Sequence, residues 1–153
     1  EAIFESIGDS ARLGSLYQVE GECAYLLGRY EEALRFCGAG LCIHVRLRAA
    51  ADALSCIGWI GLAAIALGRR EQGIRLLREA ERWMRTLSQP LLTHLQYVLD
   101  HDESLRSARA AEGRARSGDE RLSRLAGGVD RADRPSMSLV ELYAEAIGVA
   151  REP

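Results

Sequence analysis

The sequence predicts an all-α chain, built of antiparallel helix pairs and closed by extra helices at its C-terminal end. Three observations carry that expectation. Apolar residues recur at spacings of three and four almost throughout, and no run alternates as a half-buried strand would. Only three prolines occur, and the periodic stretches are punctuated at Gly28, Gly68 and Gln89-Pro90. Finally, a phrase returns. "LGRYEEALRF" at 27–36 reappears as "LGRREQGIRL" at 67–76, with matches at Gly28/Gly68, Arg29/Arg69, Glu31/Glu71 and Arg35/Arg75.

The elements follow in order. "EAIFESIG" reads as the end of a preceding helix over residues 1–8, and a start at Glu1 rather than Met implies a piece of a longer chain. Asp9 and Ser10 are capping residues for a helix over about 10–27, with Leu13, Leu16, Tyr17, Ala24 and Leu27 at helical spacing. Helices over about 30–46, 50–67 and 70–87 come next, so that 9–87 forms two hairpins. Ile57, Ile60, Ala64 and Leu67 lie on one stripe, and Ile74 and Leu77 lead to Trp83, Met84 and Leu87. Residues 88–153 hold the closing helices. Pro90 is tolerated in a first turn, so a fifth helix starts near Leu91 and runs toward Ala111. "AEGRARSGDE" is a loop, Leu122 and Leu125 mark a short helix, and "VDRADRPS" is a polar break. Ser138 with Glu141 three residues on is a capping box for a last helix that buries Leu139, Leu142, Tyr143, Ala146 and Ile147.

The repeated phrase sits at the turn between two helices. Gly21 precedes Gly28 by seven residues and Ala33 follows it by five; Gly61 and Gly73 stand in the same places around Gly68. Small residues there let two helix backbones approach closely. Tyr17, Gly21, Ala24, Gly28, Tyr30 and Ala33, and then Ile57, Ile60, Gly61, Ala64, Gly68 and Ala80, resemble the tetratricopeptide (TPR) repeat over residues 9–87. The chain departs from it at Glu20, where the family prefers Leu, and at Gly73, where it prefers Ala. Its repeat is also longer than the family's, which is about 34 residues. The resemblance implies a TPR-like right-handed solenoid whose concave groove is lined by one stripe of each first helix. Transferred by spacing from Gly21 and Gly61, that stripe is Gln18, Glu22 and Tyr25, then Gly58, Leu62 and Ile65. It is covered either by the next helix or by a bound peptide helix or partner chain.

A second resemblance involves "GLAAIALGRREQGIRLLREAERWMRTLSQPLL", "YVLDHDESLRSARAA" and "RPSMSLVELYAEAIG". Their order is similar to the C-terminal helical region of large bacterial ATPase-type transcriptional regulators of the LuxR and AfsR kind. Met137–Leu142, "MSLVEL", corresponds to the closing helix there; "RLSRLAGGVDRAD" stands where an aromatic-rich helix is usual. The resemblance implies a sensor or scaffold arm that follows a nucleotide-binding domain.

Composition narrows the function classes. The chain has 153 residues, 48% of them hydrophobic, enough for one domain with a core. Its formal net charge of −2 gives no positive excess for nucleic acid or an anionic membrane. Every basic residue is Arg, and Asn is absent as well, the signature of GC-rich coding and hence of a high-GC bacterium. No transmembrane stretch or signal peptide is visible, so a cytoplasmic protein is expected. Cys23, Cys37, Cys42 and Cys56 contain no Cys-x-x-Cys pair and are read as small buried hydrophobes.

Candidate chemistry is sparse. "GAG" at Gly38–Gly40 lacks the Lys-Ser/Thr of a phosphate loop, and no basic recognition helix is present. His94 and His101 lie two turns apart, with Asp100 and Asp102 beside the second, whereas metal ligands on a helix sit one turn apart. No metal, cofactor or catalytic residue is therefore expected. The mixed charges from Asp102 to Arg124 read as a solvated face, and Trp59 and Trp83 as packing aromatics. The function expected is a non-enzymatic protein-interaction module of a bacterial signalling or transcriptional regulator, binding a peptide or partner domain. Two alternatives stay open: an enzyme or small-ligand sensor with a pocket between the hairpins and the last helices, lined by His94, Asp100 and His101, and a scaffold that pairs with its twin as a homodimer.

Overall fold

The computed structural model describes residues 2–87 and 134–152. Among them all regular structure is helical: α1 (Ala2–Leu26), α2 (Tyr30–Arg46), α3 (Ala50–Ala66), α4 (Arg70–Thr86) and α5 (Leu139–Arg151). The helices expected near Leu91–Ala111 and at Leu122 and Leu125, the Gln89-Pro90 break, and the His94, Asp100 and His101 group all lie outside the described residues.

The hairpins pair as expected, but the period is shorter than the repeated phrase. Helices α2, α3 and α4 each span 17 residues and are joined by three-residue turns, so one helix plus one turn recurs every twenty residues. Leu27, Leu47 and Leu67 open the turns in the same register. At each turn the second amide past the Leu reaches back to a carbonyl in the last helical turn: Arg29 to Ala24 and Arg69 to Ala64 at 2.8 Å, and Ala49 to His44 at 2.9 Å. The amide between donates to Tyr25, Ile65 or Val45 in turn. This double closure requires a left-handed residue in the middle.

Gly28 and Gly68 meet that requirement at φ 74° and 86°. Arg48, at φ 55°, holds the same place with a side chain. A side chain in this region costs about 1–2 kcal/mol, while glycine costs up to about 1 kcal/mol through the freedom of the unfolded chain. Arg48→Gly is therefore expected to raise the unfolding free energy by about 0.5–1 kcal/mol, read as a higher urea midpoint with unchanged slope.

Helices α2–α4 begin without a side-chain cap. Acids in their first turns (Glu31 and Glu32, Asp52, Glu71) face the positive end of each helix dipole instead. The break expected at Asp9-Ser10 does not occur: α1 runs through it from Ala2. Asp and Ser cap a helix only where the chain before them leaves helical geometry, and the Ala, Glu and Ile of the preceding stretch favour continuing it.

The core centres on α3, where every residue from Ala53 to Ala64 is buried. A helix apolar all round belongs inside, flanked here by α2 and α4. Close approach at the glycines is real. A Cβ on Gly21 would run into the Cys37 sulfur and sit 3.4 Å from the Ala33 carbonyl oxygen. One on Gly61 would lie 2.9 Å from the Gly73 oxygen, and one on Gly73 would collide with the Gly61 oxygen and Ile65.

Helix α5 starts with the expected capping box. The Glu141 amide donates to Ser138 Oγ at 3.2 Å, and the Ser138 amide donates to Glu141 Oε2 at 2.7 Å. Backbone and hydroxyl hydrogen bonds from Ser138 hold the Glu141 carboxyl below the usual range. Leu142, Ala146, Val149 and Ala150 are buried, while Leu139, Tyr143 and Ile147 are half-buried against the core. The helix packs on α2, α3 and α4 together.

Candidate functional site

The six residues transferred as a groove stripe do not share one environment. Gln18, Glu22, Tyr25 and Ile65 are half-buried, whereas Gly58 and Leu62 are buried. Tyr25 packs its ring on Trp59, with centroids 5.4 Å apart, and on Tyr30 at 5.5 Å. Gln18 Oε1 lies 3.8 Å from Cys56 Sγ. Gln18 and Tyr25 thus face α3, where they hold the hairpins together. Trp59 and Trp83 both pack, Trp59 fully inside and Trp83 half-buried with its indole N–H donating to the Met137 carbonyl at 3.0 Å.

An apolar face is open elsewhere, on the outer side of α1. Leu13, Leu16 and Val19 are 43%, 52% and 55% exposed, and Cys23, Leu26 and Leu27 continue the stripe toward the turn. The repeat register gives this stripe a meaning. Forty residues on, the equivalents of Leu13, Leu16, Val19 and Cys23 are Ala53, Cys56, Trp59 and Ala63, each fully buried. Two of them are seen stacking on the preceding hairpin. Cys56 approaches Gln18 and packs 3.4 Å from the Cβ position of Gly40, and Trp59 meets Tyr25. On α1 the same face has no hairpin against it among the described residues.

A second arrangement lies on α4, which grips α5 with side chains. The Arg69 guanidinium donates to the carbonyls of Val149 and Glu152 at 3.1 Å each, at the negative end of the α5 dipole. Arg75 pairs with Glu145 at 3.2 Å. Glu79, only 2% exposed, accepts from the Ser136 amide at 2.9 Å, from its hydroxyl at 2.5 Å and from Arg82 at 2.6 Å. Burial works to raise the Glu79 carboxyl, but these hydrogen bonds and the Arg82 charge outweigh it and hold it below the usual range. Between α2 and α5 lie two adjoining hollows of about 300 Å³ each that share Leu34, Arg35, Ala150 and Arg151; Gly38 and Ile147 line the first, and Glu31, Arg69 and Glu152 the second.

Nucleophilic and metal chemistry finds little footing among the described residues. Burial, with the charge of Glu22 adding, pushes the Cys37 thiol up to about 12. Burial, then the charges of Cys37 and Asp52, raises Cys56 as well. Neither thiol ionises readily at neutral pH, so neither is a thiolate nucleophile. Cys23 is exposed and Cys42 half-buried. His44 is buried beside Gly14, with Nδ1 4.0 Å from Asp52 and Nε2 without a partner among the described residues. Those residues contain no group of three His, Cys, Asp or Glu placed to hold a metal ion, and no helix long and apolar enough to cross a membrane.

Sequence reasoning singled out the right turns but missed both surfaces. The α1 stripe was legible as Leu13, Leu16, Val19 and Cys23, yet helical spacing alone reads equally as core. The α4 clamp needed α5, 54 to 83 residues distant in sequence, to be brought alongside. Comparison of the chain with family models, with curated proteins and with solved structures finds no match.

Proposed function

We propose that this chain is a protein-interaction module, a TPR-like stack of hairpins that takes a helical part of a partner protein on the outer face of α1. The observation that carries this reading is the register of that face. Its equivalent on α3 is where one hairpin stacks on the one before it, so α1 offers a stacking surface with no occupant among the described residues. A contiguous apolar stripe on a helix edge is the chemistry of a helix-docking surface. The resemblance of the closing segment, Met137–Leu142, to bacterial regulators supports a place in a signalling or transcriptional regulator, where the partner is another domain of that regulator or a protein it senses. The cytoplasm is the matching compartment.

The test is affinity capture with two baits, the wild-type chain and a Leu16→Glu, Val19→Glu chain. Both residues are more than half exposed, so the variant should keep its helical circular dichroism spectrum. A protein held by the wild type and lost by the folded variant is the expected result. Equal capture, or none, would sink the reading. The same stripe also favours a second reading, self-association through α1. Sedimentation of the wild type at twice 16.8 kDa, reverting to 16.8 kDa in the variant, would assign the face to a homodimer.

A further inference from the structure

We propose that Gly8 is a turn held in reserve: α1 breaks there, and Ala2–Ser6 folds back over the Leu13 end of the open apolar face. The proposal rests on the interaction reading and names a regulation of that same face. The twenty-residue frame carries it. Ile7-Gly8-Asp9 stands in register with Leu27-Gly28-Arg29, Leu47-Arg48-Ala49 and Leu67-Gly68-Arg69. In all three later triplets the middle residue is left-handed, and the third amide closes on a carbonyl five residues back. Helix lengths agree with the frame. Helices α2, α3 and α4 span 17 residues each, whereas α1 spans 25. Seventeen residues counted back from Leu26 begin at Ser10, directly after the triplet. What is left over is the triplet and the short stretch Ala2–Ser6 before it.

Glycine has no other task at that place. Elsewhere in α1, glycines let α2 come close. A Cβ on Gly14 would lie 2.9 Å from His44 Cε1, and one on Gly21 would meet the Cys37 sulfur. Gly8 is exposed, with nothing within 4 Å of its Cβ position. Alanine would serve a continuous helix better there. A left-handed turn is what calls for glycine. Gly148 also stands in open space, but α5, with 13 residues, does not keep the frame of α2–α4.

The frame also says where the folded segment lands. Ala24, His44, Ala64 and Met84 share one place in it and are all buried; Phe4 holds that place in the first segment. His44, near the end of α2, sits beside the start of α3, with Nδ1 4.0 Å from Asp52. The matching pair at a turned Gly8 is Phe4 and Arg12. Next to Arg12 is Leu13, 43% exposed, whose counterpart Ala53 is fully buried. Turning at Gly8 therefore brings an aromatic residue to the Leu13 end and leaves Leu16, Val19 and Cys23 to a partner. With α1 straight, the stripe is open from Leu13 to Leu27.

The test is NMR on the full chain, with no partner present. In a straight α1, Phe4 and Leu13 are separated by about 13–14 Å along the axis, too far for a nuclear Overhauser contact. The expected result is such a contact between the Phe4 ring and the Leu13 methyls within one chain. Gly8→Ala favours the helix and opposes the left-handed turn, so it should weaken the contact by about tenfold or more. Gly8→Asn tolerates that turn and should retain the contact to within about threefold. Gly8 is exposed, so both variants keep the fold, checked by circular dichroism. Absence of the contact in the wild type would overturn the proposal, leaving α1 straight. A contact that Gly8→Ala leaves unchanged would overturn it too, because no turn is then needed. A contact seen only between differently labelled chains in a mixed sample would put a second copy on the face and overturn the fold-back. None of these readouts involves a captured protein, so the interaction reading stands or falls separately on Leu16 and Val19.

Discussion

Glu79→Ala is expected to cost about 3–5 kcal/mol of unfolding free energy, because it removes the acid at the centre of a buried polar junction. Glu79 is 2% exposed and joins α4 to the segment that leads into α5, through the Ser136 amide, the Ser136 hydroxyl and Arg82. Truncation leaves the Arg82 guanidinium, itself only 22% exposed, without the acid it pairs with here. Urea denaturation followed by circular dichroism measures the loss, and Trp83 fluorescence reports whether α5 leaves first, since the Trp83 indole is bonded to Met137. The junction also titrates. The folded-state carboxyl lies below its usual value, so its contribution is fully present above the unfolded value of about 4.3 and fades as pH falls through the lower folded value. Wild-type stability should therefore drop below about pH 4.3 with a component that Glu79→Gln lacks. Parallel acid titrations of the two proteins would reject this if their slopes matched.

The second large effect is a sign reversal between two glycines. Gly73→Ala is expected to destabilise by about 1–3 kcal/mol, although alanine is the better helix former by about 1 kcal/mol. The new methyl would enter the Gly61 carbonyl oxygen and Ile65, and the contact is with backbone, which cannot rotate away. Gly148→Ala is the control. It lies in α5, it is exposed, and nothing stands within 4 Å of its Cβ position, so the same substitution there should stabilise by about 0.5–1 kcal/mol. Thermal melts of the two variants should move in opposite directions. A Gly73→Ala chain as stable as the wild type would mean that α3 and α4 are not packed backbone against backbone. The TPR resemblance prefers Ala at this place, and the first hairpin has it, as Ala33. The second hairpin is closed tighter, with the Gly73 oxygen 2.9 Å from the Gly61 Cβ position against 3.4 Å for the Ala33 oxygen and Gly21.

The sequence by itself determined what depends on a few neighbouring residues. The turns at Gly28 and Gly68, the capping box of Ser138 and Glu141, the close approaches at Gly21 and Gly61, and the all-helical reading of the described residues were all legible, because each is fixed by one side chain or by its absence. The turn at Arg48 hid its left-handed residue, since an arginine carries no sign of positive φ. The continuity of α1 through Asp9 and Ser10 was hidden for a related reason, as a capping residue is also a tolerable helix interior. What only the tertiary structure decided was coverage. Leu16 and Cys56 stand at the same place in the repeat and both read as core, yet one is exposed and the other is buried. Gln18, Glu22, Tyr25, Gly58, Leu62 and Ile65 were gathered by spacing into one groove, yet two are buried and two of the half-buried ones hold hairpins together. Arg35 and Arg75 are the same residue in the same phrase, and only one has Glu145 beside it. Helical period says which residues share a face. Whether that face meets water or another helix depends on segments far away in the chain, and burial is a property of the pair.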